Sequence, residues 1–145
     1  MINKLSSKAI KIASAAAAMG LATLALTATP AQASTQTSTS VSGAYGALNY
    51  VTWSSSHRAD FYIDIVDTKA DGEHATGRVQ ILVPNGDDNK VLSYGWHKAV
   101  GKGNSYDSKT YAKSSSVIYA VRIQVCRVGD ELPTLCSTSS WDYSL

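Results

Sequence analysis

Residues 117–125 read Val-Ile-Tyr-Ala-Val-Arg-Ile-Gln-Val, and the alternation in that run decides the fold class. Val117, Tyr119, Val121, Ile123 and Val125 recur at every second position, with Arg122 and Gln124 between them. Successive side chains of an extended strand point to opposite faces. The spacing therefore predicts a strand with one face in the core and the other in water. The same period runs through Phe61, Ile63 and Ile65, which alternate with Tyr62, Asp64 and Val66. Val79, Ile81 and Val83 alternate with Arg78, Gln80 and Leu82. Leu92, Tyr94 and Trp96 alternate with Ser93, Gly95 and His97, so Trp96 is expected in the core.

Turn residues punctuate these runs. Asp71-Gly72 separates strands expected near 60–67 and 74–83. Pro84-Asn85-Gly86-Asp87-Asp88 precedes one near 91–100, and Gly101-Lys102-Gly103-Asn104 closes it. Shorter runs near Leu48–Trp53 and Ser137–Tyr143 bring the count to six or seven strands. Helical periodicity is missing after the N-terminal segment, and there are no internal repeats. The expected fold is all-β: an antiparallel β-sandwich or small barrel over residues 44–145.

The N-terminus has a different grammar. Lys4, Lys8 and Lys11 precede an apolar run from Ile12 to Leu26, and Pro30 leads into the small-x-small triplet Ala31-Gln32-Ala33. This order predicts a signal-peptide helix over 1–33 that is cleaved on export, making the chain secreted and extracellular. The apolar run falls short of the roughly 20 residues that span a bilayer, so no membrane association is expected after cleavage. No cysteine stands at the cleavage point to carry a lipid. Ser34–Ser42 is almost wholly Ser, Thr and Gln, and 34–43 is expected to be a flexible leader.

Cleavage changes the charge. The formal +2 of the 145 residues includes three signal-peptide lysines and no signal-peptide acid, so the remaining 112 residues sit near −1. That balance offers no electrostatic case for nucleic acid. A length of 112 suits one domain with one core. Both cysteines, Cys126 and Cys136, fall in this part. In an oxidising compartment they are expected to form a disulfide that pins a wide hairpin at the sheet margin, with Cys126 on the face of Arg122 and Gln124. Closing so short a loop contributes about 2.5–3 kcal/mol on the chain-entropy account.

Candidate sites are sparse. If 60–67 pairs with 74–83 about Asp71, and 74–83 with 91–100 about Asp87-Asp88, then Asp64, Arg78 and His97 form a row across three strands. Such a row could bind an anionic or hydroxyl-rich ligand on the outward face, with Tyr62 and Gln80 beside it. The plainer reading is a solvated face with an ion pair worth a few tenths of a kcal/mol. Three Trp and eight Tyr raise the question of sugar stacking, with Trp53, Trp141, Tyr45, Tyr50, Tyr106, Tyr111 and Tyr143 as candidates, although tyrosine is also a common strand former. Ser54-Ser55-Ser56-His57 and Asp60 assemble triad letters in one short loop, without the distant members or the Gly-x-Ser-x-Gly elbow of acyl-transfer enzymes. Asp87-Asp88-Asn89 lacks the spacing of a calcium loop, and no zinc-ligand pattern or nucleotide fingerprint occurs. No catalytic residue, metal or cofactor is assigned.

One further pattern spans residues 60–138. Asp71-Gly72-Glu73-His74, Gly77-Arg78-Val79-Gln80, Gly95-Trp96-His97-Lys98 and Ala120-Val121-Arg122-Ile123-Gln124-Val125-Cys126-Arg127, ahead of Cys136, resemble segments of small secreted proteins of filamentous actinobacteria. The opening here carries an extra Glu73 between Gly72 and His74. The resemblance implies extracellular localisation and a Cys126–Cys136 bridge, and no mechanism. Two function classes follow. The favoured one is a non-enzymatic binding module for an extracellular protein or cell-wall glycan. The other is enzymatic or inhibitory: a small hydrolase, or an enzyme inhibitor acting through the loop 127–135. The sequence does not specify an oligomeric state.

Overall fold

A computed structural model describes residues 34–129 and 134–144. The expected signal peptide, 1–33, lies outside the described residues, as does the middle of the 127–135 loop. Ten strands follow in order: β1 (Thr35–Val41), β2 (Ala44–Ser55), β3 (Arg58–Asp67), β4 (His74–Asn85), β5 (Asp88–Ser93), β6 (His97–Val100), β7 (Ser105–Lys113), β8 (Ala120–Val128), β9 (Leu135–Thr138) and β10 (Asp142–Tyr143). They form two antiparallel sheets. Sheet A has the order β1-β2-β3-β7. Sheet B runs β10-β8-β4-β5, with β6 also on β4 and β9 also on β8. The count exceeds the six or seven expected because both edges of sheet B are broken into two segments, a strand forms at the N-terminal end, and β7 forms where no run was named.

The core lies between the sheets and is built from the inward parity of the long strands. Phe61, Ile63 and Ile65 on β3 face Val79, Ile81 and Val83 on β4 and Val121, Ile123 and Val125 on β8, all buried. The sheets approach closely at Gly46 of β2, against Ile123 and Val125, and at Gly77 of β4. A Cβ placed on Gly77 of β4 would stand 2.7 Å from the Ile65 side chain, so only glycine fits there.

The expected inward rows fail in two places, each for a backbone reason. Val117 and Tyr119 are exposed while Ile118 is fully buried, because β8 begins only at Ala120 and the preceding residues do not follow its parity. Leu92, opposite the buried Ile81, keeps its parity but is exposed on the edge strand β5, whereas Trp96, expected in the core, is turned outward and 47% exposed. Gln80 pairs with Ser93 and Gly77 with His97, so three steps along β4 match four along the edge. The extra residue between β5 and β6 reverses the parity of everything after it. Tyr94 holds this break in place: its N–H donates to the Val79 carbonyl at 2.9 Å, and its hydroxyl both donates to the Lys113 carbonyl and accepts from the Lys113 N–H across the open side.

Residues 34–43, expected to be a flexible leader, contain β1 instead. The tract has almost no apolar surface to bury, but its threonines share one face. Thr35 donates to the Asp142 carboxylate, Thr37 to the Ser140 carbonyl at 3.0 Å, and the Thr39 hydroxyl meets that of Ser137 at 2.7 Å. Hydroxyls thus stitch the edge of sheet A to the β9–β10 edge of sheet B, where apolar packing would otherwise do so.

Polar anchors close the remaining corners. Asp67 is fully buried at the end of β3, and its carboxylate accepts from the N–H groups of Lys69 (3.1 Å) and Gly101 (2.9 Å). Arg127 and Glu73 form a buried ion pair at 2.6 Å. Asp71 stands 4.0 Å from the same guanidinium, so two carboxylates share it. The Cys126–Cys136 disulfide is formed between directly opposed residues of β8 and β9, Cα atoms 4.1 Å apart, on the face of Arg122 and Gln124 as expected.

Gly77→Ala should destabilise the fold by about 1–3 kcal/mol through overpacking against Ile65. Adding Ile65→Val should recover part of that loss, read as a shift in the urea midpoint at constant slope.

Candidate functional site

The outer face of sheet A is shaped by a bulge in β2. Asn49 pairs with Tyr62 and Thr52 with Asp60, so β2 carries one residue more than β3 across this interval. The pairing with β1 shifts at the same place, where Thr37 opposes Leu48 and Thr35 opposes Val51. Leu48 and Val51 both stay in the core, and Asn49 and Tyr50 both turn outward. Tyr50 carries the extra turn itself, with φ of 54°. A side chain in the left-handed region costs about 1–2 kcal/mol relative to an ordinary conformation, and glycine would adopt it freely.

Tyr50 is 67% exposed and stands edge-on to Tyr62, ring centres 5.9 Å apart. A hollow of about 400 Å³, lined by Thr35, Gln36 and Asn49, opens on one side of it. A smaller one of about 190 Å³, lined by Thr52, Asp60, Tyr62 and Lys109, opens on the other. Tyr111 extends the aromatic face on β7, half exposed, with the Arg58 guanidinium 4.0 Å from its ring centre. Arg58 also holds Asp60 by a charged contact of 2.7 Å, and Ser54 donates to the same carboxylate at 2.8 Å. The Arg58 hydrogen bond keeps Asp60 below the usual carboxylate range, against the opposing effect of burial. Asp60 is therefore an ionised acceptor at the rim of the smaller hollow.

The expected row of Asp64, Arg78 and His97 is not brought together. The strands 60–67 and 74–83 look like a hairpin in sequence, but β3 and β4 belong to different sheets. Asp64 lies opposite Ala47 and Asp107 on sheet A. Arg78 points out from sheet B, donating to Gln124 at 2.8 Å with Trp96 beneath its guanidinium. The extra residue before β6 sets His97 opposite Gly77, and its ring stacks on Tyr106 at 4.4 Å. The triad letters do not assemble: Ser54 and Arg58 both hold Asp60, while His57 is engaged through its backbone, its N–H donating to Ser55 Oγ and its carbonyl accepting from Ser114. Trp53 packs against the core, and Trp141 lies on sheet B under Arg122. Among the described residues no group of three or more His, Cys, Asp and Glu is placed to hold a metal ion, and no helix is long and apolar enough to cross a membrane.

Sequence reasoning put Tyr62 outward correctly and offered Tyr50 and Tyr111 only within a longer set of aromatics. Tyr50 stands out only through the bulge, which the alternation of β2 does not announce. Compared with known proteins, the chain matches no family model, no curated protein and no solved structure.

Asp64 has its carboxyl raised above the ordinary 3.8, first by burial and then by Asp107 across the strand pair. The folded state then binds this proton more tightly than the unfolded chain, so stability falls as pH rises through the raised value. Asp64→Asn should stabilise the protein at pH 7 by a few tenths to about 1 kcal/mol, and the gain should vanish below the ordinary carboxylate value, read by thermal melts of both proteins across pH 3–8.

Proposed function

We propose that this chain is a secreted, non-enzymatic β-sandwich that binds glycan through the outer face of sheet A. The observation that carries the reading is Tyr50: an aromatic residue in a left-handed backbone, two-thirds exposed, between two hollows. Strain of this kind is tolerated where the side chain it presents is needed, and a bulge is a common way to aim one. Tyr50, Tyr62 and Tyr111 offer aromatic surface to the C–H faces of pyranose rings. Asn49, Thr52, Asp60 and Lys109 supply donors and acceptors for ring hydroxyls beside them. A charged patch selecting a polyanion would not pair its cations internally, as Arg58 does with Asp60 here. The smaller hollow contains one carboxylate, held ionised, and its lining offers no second carboxylate to work with it, which favours recognition over hydrolysis.

Retention of the chain on insoluble chitin, cellulose and peptidoglycan tests the reading, with the tyrosine variants as probes. Tyr50→Gly relieves the left-handed strain, so its melting temperature should equal or exceed that of the parent while retention falls about tenfold, the equivalent of 1.4 kcal/mol of lost stacking. Tyr62→Ala should act in the same direction. Undiminished retention in a folded Tyr50→Gly protein, or retention on none of the three polymers, would refute it.

A further inference from the structure

The outer face of sheet B carries a different constellation, built on a repeated pattern. Arg78-Val79-Gln80 on β4 and Arg122-Ile123-Gln124 on β8 share one spacing, and the antiparallel register sets Arg78 opposite Gln124 and Gln80 opposite Arg122. The result is a local two-fold. Arg78 Nε donates to Gln124 Oε1 at 2.8 Å, and Arg122 Nε donates to Gln80 Oε1 at 2.8 Å. Gln80 Nε2 in turn donates to Ser93 at 3.2 Å and to Gln124 Oε1 at 3.4 Å. Each guanidinium also lies over an indole: Arg78 is 4.4 Å from the Trp96 ring centre, and Arg122 is 4.1 Å from that of Trp141. The order across the sheet is Trp96, Arg78, the two glutamines, Arg122, Trp141.

Counting donors and acceptors shows what this ladder leaves over. Both glutamine oxygens are used within it. The terminal nitrogens of Arg78 and Arg122 and the Nε2 of Gln124 make no hydrogen bond among the described residues. The ion pairs there belong to Arg58 and Arg127, so neither ladder guanidinium faces a carboxylate. Lys98, opposite Thr76 on the same parity, adds a further cation. Among the described residues the face thus presents donors and positive charge, with no carboxylate within ion-pair distance of either guanidinium. Arg78 and Arg122 stand on the diagonal of the strand pair, whose backbone positions lie about 7–8 Å apart, and anions reaching the two guanidinium groups would offset their mutual repulsion.

We propose that this ladder is a second binding site, for a carboxylated polysaccharide. Guanidinium forks take carboxylates two bonds at a time, and both forks here are held in place by a Nε bond and an indole. Trp96, 47% exposed beside Arg78, gives the sugar ring an apolar surface. Two forks at opposite ends of a two-fold ladder suit a polymer that repeats its carboxylate, so a polyuronate engages both where a single anion engages one.

Affinity electrophoresis of the full chain through gels containing polygalacturonate, dextran sulfate or neutral dextran tests this site. Polygalacturonate should retard the chain at low salt, dextran should not, and dextran sulfate should retard it less. Arg78→Gln combined with Arg122→Gln should weaken the retardation at least tenfold, whereas Lys90→Gln combined with Lys102→Gln, equal in charge lost, should leave most of it. Tyr50→Gly should have no effect, which separates this site from the one on sheet A. Should the double arginine variant not fold, phenylglyoxal labelling of the parent gives an independent reading. Polygalacturonate should protect Arg78 and Arg122, and not Arg58, in peptide mass spectra. Equal protection of all three, equal loss in the two double variants, or stronger retardation by dextran sulfate would overturn the proposal.

Discussion

The register of β4 against β8 is the constraint on which the rest of the molecule depends. Nine residue pairs, from His74 opposite Val128 to Leu82 opposite Ala120, set both faces of sheet B at once. On one parity Val79, Ile81, Val121, Ile123 and Val125 are removed from water, and on the other Arg78, Gln80, Arg122 and Gln124 meet as a ladder. A slip of one residue by either strand would drive its guanidinium, Arg78 or Arg122, into the core, at a large desolvation cost. The disulfide fixes β8 against β9 on its other side, while the ladder matches Arg to Gln across the β4–β8 register itself. Without it the sheets would have no common core to close over.

The edges are managed by different means on the two sides. Sheet B ends in broken strands, β5 and β6 on one flank and β9 and β10 on the other, which leaves no long row of free backbone groups to template another chain. Sheet A ends in β1, and its outermost contacts are hydroxyl bridges from Thr35, Thr37 and Thr39 to the β9–β10 edge. On the opposite side Tyr94, the His97–Tyr106 stack and the Asp67 carboxylate join the sheets. Both open sides of the sandwich are therefore closed by polar or aromatic contacts, and the aliphatic side chains are reserved for the middle.

Much of this was legible in the sequence wherever alternation is undisturbed. The parity of Phe61, Ile63 and Ile65, of Val79, Ile81 and Val83, and of Val121, Ile123 and Val125 follows from spacing alone, and so does the face on which Cys126 lies. Alternation does not say which strand pairs with which. The turn at Asp71-Gly72 reads as a hairpin, yet the chain passes there from one sheet to the other, and the proposed Asp64–Arg78 pairing went with that misreading. Composition misled at the N-terminal end for a related reason. A tract of Thr and Ser cannot order itself by burial, but β1 pairs its backbone with β2 across the turn at Ser42-Gly43, and its hydroxyls reach partners about a hundred residues away. The hairpin is local, but the hydroxyl partners that hold its outer strand are too distant in the chain for local rules to find.

The two candidate surfaces share one physical origin. Tyr50 and Trp96 are both aromatics that stand in water because an extra residue enters a strand beside them, at Asn49–Thr52 in β2 and between β5 and β6. Each bulge breaks a parity that would otherwise have kept the core rows continuous, and each carries a cost: a left-handed tyrosine in one case, an interrupted edge in the other. A packed sandwich gains nothing from either. What each does achieve is an aromatic ring turned outward beside fixed polar groups, mixed in charge on sheet A and donor-only on sheet B. Faces of such different chemistry on one small sandwich argue for two ligand classes rather than one extended site. The departures from regular alternation, more than any motif, mark where the molecule meets its surroundings.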